Sequence, residues 1–182
     1  HTTSPTFTYG TDTQPRAMGT PGSSQTTGYG GGAIYVNASG TVTVNGSLLA
    51  DGLTINAGGG RGGASGGSIY LHANTLAGNG TIRAAGSDAT ASGGGGGGGR
   101  LYVAVGTNSW SGNTLDAANA TPAGSGGQEA GNNGTVVFAS LDVTAPDGGE
   151  AWKTGSTKAI TWTNGATLPN DLILEYCTDG AT

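Results

Sequence analysis

The segment that decides the fold is GGSIYLHANTLAGNGTIRAAG, residues 66–86. It opens on two glycines, alternates apolar and polar through Ile69, Tyr70, Leu71 and His72, turns at Asn79-Gly80, and resumes at Thr81, Ile82 and Arg83. Alternation with a period of two marks a half-buried strand, and Asn-Gly is a strong turn signal. The wording then repeats: "GGGAIYV" ends at Val36, "GGRLYV" at Val103 and "NGTVVF" at Phe138. Ile34, Ile69, Leu101 and Val136 therefore occupy equivalent places at intervals of 32–35 residues. A second strand follows in the first three copies, aligning Val42 with Leu76 and Trp110, and Leu48 with Ile82 and Leu115.

No helical periodicity interrupts this pattern. Stacked repeats that bury their apolar faces against their neighbours satisfy it. Residues 1–141 are therefore expected to form a Gly-rich parallel β-helix, an all-β solenoid, with an up-and-down sandwich as the alternative because Asn-Gly turns also favour hairpins. Glycine supplies 39 of the 182 residues and charged residues only 9%, yet apolar residues reach 34% and fall in clean alternations, which excludes a disordered linker. The glycines of 30–32, 58–67, 93–99 and 124–134 share one place in the repeat and are expected to stack. Two readings of them stay open: flexible loops along one edge, or extended polyproline-II-like segments packed backbone to backbone.

Residues 62–86 and 93–103 resemble the Gly-rich repeats of large bacterial surface proteins, whose pattern runs GGGSGGSI-x-I, TLxGxGxIxAxGG, GGGGGGRI. That resemblance implies a right-handed β-helix outside the cell and fixes no activity. The composition shifts near Leu141, since residues 1–141 hold five Asp/Glu and residues 142–182 hold six. The stretch VTAPDGGEAWKTGSTKAITWTNG, residues 143–165, resembles the opening strands of a bacterial immunoglobulin-like module, with Pro146, Gly148, Gly149, Glu150, Trp152, Gly155, Ile160 and Trp162 at the matching positions. LILEYCTDGAT continues the resemblance, with Cys177 where serine is usual. Residues 142–182 are thus expected to be part of an immunoglobulin-like β-sandwich, completed by further residues or by another chain. Trp110, Trp152 and Trp162 read as core residues.

Composition also bears on function. Six Lys/Arg against eleven Asp/Glu give a net charge of −5 with no basic stripe, so nucleic acid is not an expected partner. Abundant Thr, Ser, Asn and Gly with little Lys or Glu point to an extracellular or cell-surface location. No apolar run approaches the ~18 residues of a membrane span. No signal peptide precedes His1, so a leader is expected to have been removed. Polysaccharide-cleaving chemistry needs clustered carboxylates, and Asp12, Asp51, Asp88, Asp116 and Glu129 do not align into one. A single cysteine and two histidines leave no metal set. No catalytic residue, metal or cofactor is therefore expected, and the chain reads as a non-enzyme.

Tyr35, Tyr70 and Tyr102 fall in one column of the repeat and, by alternation, point outward. They are candidates for contact with a polysaccharide, or for a ladder that stabilises neighbouring repeats. Five Asn-x-Ser/Thr triplets, at Asn37, Asn45, Asn79, Asn119 and Asn133, are candidate glycosylation sites, three of them also Asn-Gly turns. The expected role is a segment or subunit of an extracellular fibre, surface filament or adhesin stalk that self-associates head to tail by strand complementation. The alternatives are a carbohydrate-binding surface and, further off, a fragment of a polysaccharide-degrading enzyme.

Overall fold

The computed structural model describes residues 11–22, 28–54, 62–89, 93–112, 114–116, 130–146 and 149–164. Eleven strands are described and no helix: β1 (Gly28–Tyr29), β2 (Ala33–Asn37), β3 (Thr41–Thr43), β4 (Ser47–Leu49), β5 (Leu53–Thr54), β6 (Ser68–Gly78), β7 (Thr81–Arg83), β8 (Arg100–Trp110), β9 (Thr114–Asp116), β10 (Thr135–Ala145) and β11 (Thr161–Asn164). The chain is all-β. Among the described residues, no helix is long and apolar enough to cross a membrane.

The equivalences read from the repeat become the pairing itself. Strands β2, β6, β8 and β10 lie side by side in parallel, with Ile34 opposite Ile69, Ile69 opposite Leu101, and Leu101 opposite Val136. A second parallel sheet joins β4, β7 and β9 through Leu48, Ile82 and Leu115. The bend at Asn45-Gly46 therefore makes no hairpin. It carries the chain from β3, which pairs with β6, to β4, which pairs with β7. Each strand of these two parallel sheets finds its partner one repeat away, whereas β1 pairs antiparallel with β5.

One alignment is corrected. Leu76 faces Asn108, and Trp110 faces Gly78, two places from the expected match. The ladder between β6 and β8 keeps the short spacing of 32 residues along its whole described length, so the later residues of β8 cannot follow the longer spacing of the first two copies. Trp110 still reaches the core, packing against it while partly buried.

That core lies between the two parallel sheets. Ile69, Leu71, Leu101 and Val103 are fully buried, together with Leu76 and Ile82. Side chains of this size contribute about 1.5–3 kcal/mol each when removed from water. Ile34, Val36, Val42 and Leu48, in the first copy, are only partly covered.

Where they are described, the glycine-rich segments form a hydrogen-bonded array rather than loose loops. The Gly63 amide donates to the Gly94 carbonyl at 2.9 Å and the Gly66 amide to the Gly97 carbonyl at 2.9 Å. In the opposite sense, Gly96 donates to Ser87 at 3.1 Å and Gly99 to Ala84 at 2.8 Å. Both series advance by three residues, the period of a polyproline-II segment. Neither Gly96 nor Gly99 has a positive φ, so conformational freedom is not what these positions demand. They demand the absence of a Cβ, because a methyl on Gly96 would overlap the Ala64 carbonyl and one on Gly99 the Gly67 carbonyl.

Beyond the array, β10 runs without a break across positions 141 and 142 and pairs antiparallel with β11 from Leu141 onward. Trp152 and Trp162, expected in a core, are 49% and 44% exposed. Here β11 extends the edge of the six-stranded sheet through β10, and both rings are about half exposed. The expected continuation around Cys177 lies outside the described residues.

The glycine array generates a sharp contrast. Gly96→Ala is expected to destabilise the protein by about 1–3 kcal/mol or more, the cost of forced overpacking. Gly97→Ala, whose methyl would meet only the Asn132 carbonyl at 3.6 Å, should be close to neutral. Denaturant unfolding of the two variants measures the difference, and equal loss in both would refute a close-packed array.

Candidate functional site

The outward face of the β2–β6–β8–β10 sheet carries the tyrosine column. Register places Tyr35 opposite Tyr70 and Tyr70 opposite Tyr102, so three identical rings project from adjacent strands. Their centroids lie 4.7 Å and 5.4 Å apart, with planes inclined by 8° and 9°. The Arg16 guanidinium sits 4.5 Å from the centroid of Tyr35, within the range of a cation–π contact. Both faces of Tyr70 are thus occupied by its neighbours. What the column offers to solvent is ring edges and hydroxyls, most openly at Tyr35, which is 49% exposed, while Tyr102 is only 7% exposed.

Residues 11–22 run along this face and tie the repeats together. Asp12 accepts a hydrogen bond from Arg100 at 2.9 Å, forming an ion pair, and another from Thr135 at 3.0 Å. The Ser68 hydroxyl donates to the Ala17 carbonyl, and the Gly19 amide donates to the Gly31 carbonyl at 2.7 Å. This strap crosses four copies of the repeat in about ten residues. No alternation or repeat marks it in the sequence; the only hint was Asp12, an acidic residue in a chain with few charges.

A second polar group went unrecognised in the sequence. Arg83 reaches Asp51 through Nε at 2.9 Å and Nη2 at 2.6 Å, and the other Asp51 oxygen accepts the Ala85 amide at 2.8 Å. The hydrogen bond to Asp51 raises the affinity of Arg83 for its proton, with burial opposing it and the charges of Asp51 and Asp116 adding to it. The signal was present in the spacing, because Arg83 pairs with Leu49 across the sheet and so lies diagonally beside Asp51. Leu49, Leu53 and this ion pair line an open depression of about 460 Å³. Among the described residues, no three of His, Cys, Asp and Glu gather as metal ligands.

The candidate glycosylation positions do not share one setting. Asn37 is exposed, but its Oδ1 lies 3.0 Å from Nδ1 of His72. Asn45, Asn79 and Asn133 are exposed, and Asn119 lies outside the described residues. No family model, curated protein or solved structure matches the chain.

Two measurements follow from these geometries. Burial, then the adjacent Tyr35 and Tyr102, push the Tyr70 phenol above its ordinary value, with Arg16 opposing. The folded state therefore holds this proton more tightly than the unfolded chain. The Tyr70 contribution to stability is intact below the ordinary phenol value of about 10 and is lost as pH climbs through the raised one. Tyr70→Phe should flatten the alkaline limb of a stability–pH curve. Separately, Asp51→Ala should cost about 1–2 kcal/mol in denaturant unfolding, chiefly through the orphaned Ala85 amide, since the half-exposed Arg83 remains hydrated.

Proposed function

We propose that this chain is a structural segment of an extracellular or cell-surface fibre, filament or adhesin stalk, built on a right-handed parallel β-helix. The observation that carries the reading is the in-register parallel ladder whose two end strands each keep at least part of one edge without a partner strand among the described residues. At one end, β2 pairs only with β6 among the described residues. The Ala38 amide donates to His72 and the Gly32 carbonyl accepts from Ser68, so even-numbered residues of β2 direct their peptide groups at β6. Tyr35 and Asn37, by alternation, direct theirs to the open side. At the other end, residues 135–140 of β10 pair with β8 alone among the described residues, and Val136 is 42% exposed.

An open strand edge with a half-covered apolar row is a template for another strand of the same pattern. The repeat makes such a strand available at the opposite end of a second copy. A contact of that kind is heterologous and does not close, so it extends into a filament. Parallel crossovers within one sheet are right-handed as a rule, which supports the handedness. The resemblance of residues 62–103 to surface-protein repeats supports the location, and the resemblance of residues 143–165 supports an immunoglobulin-like module after the β-helix.

Polysaccharide binding by the tyrosine column ranks second. Sugars stack on ring faces, and here the faces of Tyr70 are taken up within the column. We assign no catalytic residue, metal or cofactor.

Electron microscopy of the purified protein, with intact mass on the same sample, tests the fibre reading. Filaments with an axial repeat of one subunit are the expected result, and monodisperse monomers at high concentration would overturn self-assembly. Asn37→Pro removes an edge amide that β6 does not use, so it should block filament growth while leaving the fold in place.

A further inference from the structure

We propose that the tyrosine column is an oxidative cross-linking site, at which a one-electron oxidant joins Tyr35 to Tyr70 as dityrosine within one chain. This inference rests on the ring geometry and stands apart from the fibre reading. Dityrosine forms when each of two phenols loses an electron and its phenolic proton. The unpaired spin of a phenoxyl radical resides partly on the carbons beside the C–O bond. One such carbon from each ring forms the new C–C bond, and the two hydrogens displaced there move to the oxygens, restoring both phenols. Two electrons and two protons leave in all. Hydrogen peroxide, acting through a peroxidase, takes them up and becomes two molecules of water.

Cross-linking is ordinarily limited by the chance that two short-lived radicals meet in the right orientation. The column removes that limit. Tyr35 and Tyr70, paired in register on parallel strands, hold their rings in a nearly parallel stack, so the two phenols stay side by side. At 4.7 Å between centroids and 8° between planes, coupling requires the side chains to rotate but not one phenol to diffuse to the other. Tyr35–Tyr70 is the favoured pair because it is the closer one and because Tyr35 is half exposed to a diffusible oxidant. Tyr70–Tyr102 is wider at 5.4 Å and Tyr102 is nearly buried. Tyr29, 52% exposed, stacks on no other ring among the described residues and serves as an internal control. Within these 182 residues the lone Cys177 has no second cysteine to pair with, so a tyrosine link would supply a covalent staple that no disulfide within them can.

The test exposes dilute purified protein to peroxidase and limiting hydrogen peroxide, then separates monomer from dimer and maps the linkage by peptide mass spectrometry. The expected product migrates as monomer, fluoresces as dityrosine, and yields joined peptides containing Tyr35 and Tyr70 that are two hydrogens lighter than their sum. Tyr70→Phe keeps a ring in the stack and removes the phenol, so the intramolecular product should fall to background. Tyr29→Phe should leave it unchanged. A neutral-pH unfolding midpoint shared by wild type and Tyr70→Phe shows that the fold is retained. An intramolecular yield unaffected by Tyr70→Phe would overturn the proposal. So would links found only between chains, or none at all while free tyrosine couples in the same reaction.

Discussion

Parallel pairing in register is the constraint on which the rest of this structure depends. When strands from successive repeats align without slip, every residue sits beside its own equivalent, and the same choice of side chain is tested again at each step. Apolar residues benefit: Ile34, Ile69, Leu101 and Val136 form one continuous row. Aromatic residues benefit too, giving the stacked tyrosines. Charges do not, because like charges directly opposite each other repel. The chain carries few of them, 9% of its residues, and the two that stand directly opposite each other in the described strands, Arg83 and Asp116, have opposite signs. Arg83 lies between Leu49 and Asp116 across the sheet and turns toward Asp51.

The glycine array obeys the same constraint with a different chemistry. A parallel sheet needs side chains to fill the space beside it, whereas these segments approach each other so closely that the backbone itself becomes the packing material. Gly63 with Gly94 and Gly66 with Gly97 are joined amide to carbonyl, while Gly96 and Gly99 bond to Ser87 and Ala84 on another neighbour. A segment with a three-residue period presents its peptide groups in several directions, so it can bond to more than one neighbour. The large entropy lost by ordering glycine is offset by bonds that no other residue could approach closely enough to make.

How much of this was legible follows from what each feature depends on. The tyrosine column and both apolar rows could be read because they rest on a spacing that repeats. Trp110 was misplaced because one repeat is shorter and its ladder holds that shorter spacing through Gly78 and Trp110. The Asp51–Arg83 pair lay on a diagonal, and row-by-row alignment looks only straight across. Trp152 and Trp162, read as core residues, are about half exposed. The strap was illegible for a plainer reason: residues 11–22 contribute no strand, and their partners lie as far as Thr135 along the chain.

That strap changes the energetics more than its length suggests. In a stack of repeats each copy touches only its neighbours, so stability is close to a sum of local terms and an end can fray without disturbing the middle. Asp12 bonds to the third and fourth copies, Ala17 to the second and Gly19 to the first. Opening any one copy therefore loosens a segment that the other three also hold. The cost of local opening is shared, and the outward face that carries the tyrosines is stiffened along the direction in which the repeats stack. The same segment holds Arg16 over Tyr35 and so caps the column at its exposed end. An irregular stretch thus supplies the long-range coupling that regular repeats cannot provide for themselves.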